Sequence, residues 1–125
     1  MPLNRKIAYI DLSTGEVQTK PIPLNVRKKF LGGRGLDAYL LYNHTKKGCD
    51  PLGPGNVITV SSGLLGGSIA PAAARTHCGT KSPLTNGWGD AQAGGFWPAP
   101  GTISTAVMEM MVTMKNRAIE AARNS

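Results

Sequence analysis

Arg75 has the neighbours of a ligand-binding residue. It stands between Ala72-Ala73-Ala74 and Thr76, with no acidic residue beside it. A guanidinium taken out of water in such a setting needs an anion or a carbonyl as partner. Seventeen residues on, Gln92-Ala93-Gly94-Gly95 sets two glycines side by side. Glycine lets backbone N–H and C=O groups approach a flat ligand with no Cβ in the way. Lys81, in the run Thr80-Lys81-Ser82-Pro83-Leu84-Thr85, offers a further cation for a phosphate. The plain alternatives are a surface arginine on a strand edge, a solvated lysine beside a turn, and a tight turn before Phe96. The surrounding composition favours a ligand. Between Pro51 and Pro100 the charged residues are Arg75, Lys81 and Asp90, while ten of the 16 glycines and six of the 9 prolines fall there. A linker would not also carry Val57–Val60, Leu64, Leu65, Phe96 and Trp97.

Other chemistries find less support. The two cysteines, Cys49 and Cys78, form no C-x-x-C pair. With His44 and His77 they are the only soft ligands, too few and too scattered for a zinc or iron–sulfur site, so no metal residue is assigned. Adjacent His77 and Cys78 would point to opposite faces of a strand. Neither histidine has an acid or nucleophile at motif spacing, and no catalytic residue is assigned. Asp11, Glu16, Asp37 and Asp50 are placed at turns or helix surfaces. Gly32-Gly33-Arg34-Gly35 lacks the preceding strand of a dinucleotide fingerprint; Arg34 is read as structural.

These residues need elements to hold them. Lys6 to Leu12 predicts a strand, Ser13-Thr14-Gly15 a turn and Glu16 to Lys20 the return strand of a hairpin. Pro21 and Pro23, which lack a donor, end the pairing. Asn25 is the expected N-cap of a short helix to Phe30, with Arg27-Lys28-Lys29 in its first turn, the unfavourable end for cations. Gly32-Gly33 breaks that helix. Leu36, Tyr39, Leu40 and Asn43 predict a second one, ending at Gly48. Asn56 to Ser62 is β-branched and apolar on both faces, hence a central strand. Ala74 to Lys81 reads as a strand and Ser82 to Gly87 as a turn. Beyond Ser104, Val107, Met110, Met111, Met114, Ala118 and Ala121 recur at helical spacing and predict an amphipathic helix. The expected division is a domain over 1–100 and a helical tail over 101–125.

The chain has 125 residues and a formal net charge of +7. That length allows one domain. Residues 1–50 hold nine basic and four acidic residues, clustered at Arg27-Lys28-Lys29 and Lys46-Lys47. No aromatic residues are interleaved as in an RNA-binding sheet, so a solvated helix face outweighs a nucleic-acid partner. No apolar run approaches the ~18 residues of a membrane span. No signal-peptide pattern opens the chain, so no membrane partner and a cytoplasmic location are expected.

Several blocks, in order, resemble one family. IAYIDLSTGEV (7–17), FLGGRGLDAYLLYN (30–43), DPLGPGNVITVSSGLLGGSIAP (50–71), ARTHCGTKSPLT (74–85) and AGGFW (93–97) are similar to the N-terminal domain of the aldehyde ferredoxin oxidoreductases, the tungsten or molybdenum bis-pterin enzymes. The resemblance runs from Ile7 to Trp97 and is lost in the tail. It implies an α+β fold with a mixed or antiparallel sheet and a few helices. It implies a parent activity, oxidation of aldehydes to acids, with ferredoxin as electron acceptor and the metal–pterin group carrying the chemistry. Arg75 stands where the family has an arginine between pterin and iron–sulfur cluster. Gln92, Ala93, Gly94 and Gly95 match the family's pterin-contacting loop, near which a backbone carbonyl meets the magnesium ion bridging the pterin phosphates; Gln92 replaces the usual asparagine. Family members are several times longer. The [4Fe-4S] ligands lie in the part absent here, so this chain is expected to be a fragment, inactive alone. Two other classes stay open: a small non-catalytic cofactor-binding or scaffold protein, and a basic nucleic-acid-binding domain.

Overall fold

The computed structural model describes residues 6–65, 71, 73, 75–94 and, for the backbone, 108–113. The hairpin forms as its sequence predicts. Strand β1 (Lys6–Asp11) pairs antiparallel with β2 (Glu16–Pro21), and the pair Asp11↔Glu16 closes on Gly15 at φ 73°. The Asp11 side chain accepts from the Ser13 N–H and shapes the turn. Pro21 is still paired, opposite Lys6. β2 is an edge strand, where a missing N–H can face outward.

Helix α1 (Leu24–Lys29) is entered from Pro23, two residues before the expected cap Asn25, and no side chain caps it. Asn25 lies inside the helix. With so short a helix, Arg27, Lys28 and Lys29 occupy the last turn, where cations complement the dipole. Gly32 and Gly33, at φ 125° and 58°, redirect the chain into α2 (Arg34–His44). Both conformations are closed to most side chains. The Gly33 N–H donates to the Ser62 carbonyl and ties this entry to the sheet.

The sheet continues with β3 (Val57–Ser62), β4 (Arg75–Lys81), β5 (Trp88–Gly94) and β6 (Met108–Thr113), in the order β2-β1-β6-β3-β4-β5. β6 runs parallel to β1 and antiparallel to β3; every other pairing is antiparallel. The fold is α+β with a mixed sheet, as expected. One expectation fails: 108–113 is a strand, not helix. The 3–4 spacing of its methionines is weak against two unsatisfied strand edges, β1 and β3, that this segment fills at once. The rest of the proposed helical tail lies outside the described residues. Gln92, Ala93 and Gly94 are likewise strand rather than turn; Gly95 lies outside the described residues.

Both helices lie on one face of the sheet. Ile7, Ile22, Val26, Leu36 and Leu40 form the core there, with Tyr9, Phe30 and Tyr39 packed at its margin. The alternation of strand side chains sends Val57, Thr59 and Ser61 of β3 and His77 and Gly79 of β4 to the buried face.

Candidate functional site

Strand β4 crosses the buried face from a corner at Arg75 to one at Lys81. Its register with β5 puts Arg75 opposite Gly94, His77 opposite Gln92, Gly79 opposite Asp90 and Lys81 opposite Trp88. All eight residues therefore share one face.

At the first corner Arg75 is exposed, and its Nη1 donates to Gln92 Oε1 at 3.0 Å. Gly94, directly across from it, has no side chain to cover the guanidinium. Ala93 pairs with Thr76 on the opposite face. β5 is the outer strand, so alternate backbone groups of Ala91 to Gly94 point away from the described sheet. The corner thus offers a guanidinium, an amide and bare backbone around a site open to solvent. Those are donors suited to phosphate and carbonyl oxygens. The structure brings Arg75, Gln92 and Gly94 together. It puts Lys81 six residues along β4, about 20 Å away at the usual strand rise, where Lys81 Nζ donates to the Cys49 carbonyl at 2.5 Å.

Between the corners lies a polar chain that sequence reasoning missed. His77 Nδ1 meets Asp37 Oδ2 at 2.5 Å, and His77 Nε2 meets Asp90 Oδ2 at 3.1 Å. Arg34 Nε reaches the same Asp90 oxygen at 3.1 Å. Asp37 is 0% exposed and His77 4%. Asp37 therefore sits at the helix–sheet interface and not on a helix surface. Trp88 stacks on the imidazole, centroids 6.0 Å apart and planes 13° apart.

A neutral imidazole has one N–H and an imidazolium two. Two arrangements satisfy both contacts. In one, an imidazolium lies between two carboxylates. In the other, a protonated Asp37 gives its hydrogen to Nδ1 while Nε2–H donates to Asp90. Both carry the same number of protons, and with Arg34 the four groups sum to zero charge. Burial pushes the Asp37 carboxyl above its ordinary value, while the contacts with His77, Ser61 and Thr59 pull it the other way. Asp90 is held below the usual carboxylate range, first by the hydrogen bond from His77. Burial, then the nearby Asp37, raises the Cys78 thiol and keeps it protonated. Among the described residues no cluster of three His, Cys, Asp or Glu side chains could hold a metal ion. None of the described helices is long and apolar enough to cross a membrane.

A signal for this chain was present, since Asp90 is the one acid of residues 51–100. It needed the β4–β5 register to become useful. Trp-Gly-Asp-Ala-Gln-Ala-Gly has too little strand propensity to announce β5 by itself.

The α+β fold, with two helices on one face of a mixed sheet, is one found as a domain of much larger oxidoreductases. The family model "Aldehyde ferredoxin oxidoreductase, N-terminal domain" matches residues 7–113, and the chain belongs to that family. The match passes Trp97 and takes in β6. The tungsten-containing aldehyde ferredoxin oxidoreductase of Thermococcus kodakarensis is 41% identical over 90 residues, covering 72% of this chain and 15% of that protein. The WOR-like subunit of the aliphatic sulfonate oxidoreductase of Pyrococcus furiosus is 34% identical over 87 residues, covering 67% of this chain and 14% of that protein. Among solved structures, the active-site complex BamBC of benzoyl coenzyme A reductase superposes with TM-score 0.81 at 25% identity, over 90% of this chain and 17% of that one. The chain spans about 15% of the length of the curated relatives it matches.

Proposed function

We propose that this chain supplies part of the pterin platform of a tungsten or molybdenum bis-pterin oxidoreductase of the cytoplasm, which oxidises aldehydes to acids and passes electrons to ferredoxin. The observation that carries this is the Arg75–Gln92 hydrogen bond opposite Gly94. It sets an exposed cation, an amide and uncovered edge backbone in one corner, the donor set that a phosphorylated, carbonyl-bearing ring requires. Arg75 binds the anionic part. Gln92 orients the guanidinium and keeps its own amide N–H groups for an acceptor. The backbone groups of Ala93 and Gly94, with Gly95 next in sequence, would hold the ring, and a magnesium ion would neutralise the phosphates of the bound group. The bound metal–pterin group supplies the two-electron chemistry. Among the described residues no group of three His, Cys, Asp or Glu could hold a metal ion, so the [4Fe-4S] cluster of such an enzyme would take its ligands from elsewhere.

The test is a chimera in which residues 7–113 replace the matching segment of the Thermococcus kodakarensis relative. Arg75→Ala should lower the pterin content of the purified chimera about tenfold, equivalent to ~1.4 kcal/mol of binding, with an unchanged circular dichroism spectrum. Full pterin content in that variant would place the site elsewhere.

A further inference from the structure

The opposite end of β4 is built for a different ligand. There the last turn of α2, the loop after it and the 82–87 turn line an open groove of about 670 Å³. Leu41, Tyr42 and Trp88 give it an apolar and aromatic wall. Lys46, Lys47 and Lys81 also line it, and no acidic residue does among the described residues. The volume falls within the range of small-molecule sites, roughly 300–1,000 Å³.

Two features show preorganisation. Lys81 is held in place by the Cys49 carbonyl, and an ammonium has three hydrogens, so two remain to donate. The Trp88 ring is fixed against His77 and over Gly79, where a Cβ would come within 2.5 Å of Trp88 Cη2.

We propose that this groove binds a planar organic anion, an aromatic ring carrying a phosphate. The ring lies along Trp88 and Tyr42, and the phosphate takes the three lysines. The proposal is independent of the pterin platform at Arg75, from which the length of β4 separates it.

Adenosine 5′-monophosphate is the probe, with tryptophan fluorescence and titration calorimetry at low salt as the readouts. The nucleotide should quench fluorescence saturably, and adenosine or inorganic phosphate alone should each bind about tenfold more weakly. The double variant Lys46→Gln/Lys47→Gln should raise the Kd about tenfold or more. Arg75→Ala should leave it unchanged. An unaltered Kd in the lysine double variant would overturn the proposal. So would equal affinity for inorganic phosphate, or no saturation by about 10 mM nucleotide. Tighter binding of a polyglutamate peptide than of the nucleotide would also overturn it, and would make the groove a dock for an acidic chain.

Discussion

Helix α2 packs with two different materials. Leu36 and Leu40 join Ile7, Ile22 and Val26 in a dry cluster in which each residue is interchangeable in kind. Asp37, next to Leu36 in sequence, meets His77, and through it Asp90 and Arg34. The first contact is held by area removed from water, about 25 cal/mol per Å² of apolar surface. It tolerates conservative exchange and is indifferent to pH. The second depends on a count of protons and donors. It does not degrade gradually, because loss of one member leaves a buried polar group short of its partner.

The sharpest way to break the polar contact is His77→Ala. It strips Asp37 of its partner and should cost about 3–5 kcal/mol, read as a lowered urea midpoint. A loss below about 1 kcal/mol would mean the network is as loose as a surface pair. Leu36→Ala attacks the dry side and should cost about 2–5 kcal/mol with no dependence on pH between 5 and 8. The smallest effect separates the two acids by sign. Asp37, with its carboxyl raised, contributes fully below its ordinary value near 3.8 and loses that contribution as pH climbs through the raised value. Asp90, with its carboxyl lowered, does the reverse: its contribution is complete above the ordinary value of 3.8 and is lost as pH falls through the lowered one. Urea midpoints measured across pH should show both limbs, and Asp37→Asn should flatten only the loss on rising pH. Loss of the acid limb in that variant instead would show that the two assignments are exchanged.

The parts of this fold legible in sequence are those with a local cause. Gly15 announces the hairpin, and Val57–Val60 announce a central strand without reference to anything distant. The break at Gly32-Gly33 is as plain. Arg75 and Gln92 were singled out by composition, and the register of β4 and β5 does bring them to one corner. What stayed hidden has a non-local cause. β5 is poor in strand formers and exists because β4 offers it a partner. β6 carries a helical pattern and becomes a strand because two edges compete for it. Asp37 looks like any helical aspartate until His77, 40 residues away, is set against it. Lys81 was legible as a cation but not as one anchored to Cys49 at the far end of its strand.

The position of β6 has a consequence for synthesis. β1 is complete at residue 11, and its parallel neighbour begins at residue 108. At about 5–20 residues per second, β1 waits on the order of 5–20 s for the strand it will lie against. During that interval the 6–21 hairpin and the 57–94 meander each present a vacant edge. β1 is parallel to β6 and β6 is antiparallel to β3, so β1 and β3 run antiparallel to each other. Antiparallel strands have a regular ladder open to them, so β1 and β3 could pair directly in β6's absence. A sheet that closed β1 directly on β3 would leave no place for β6.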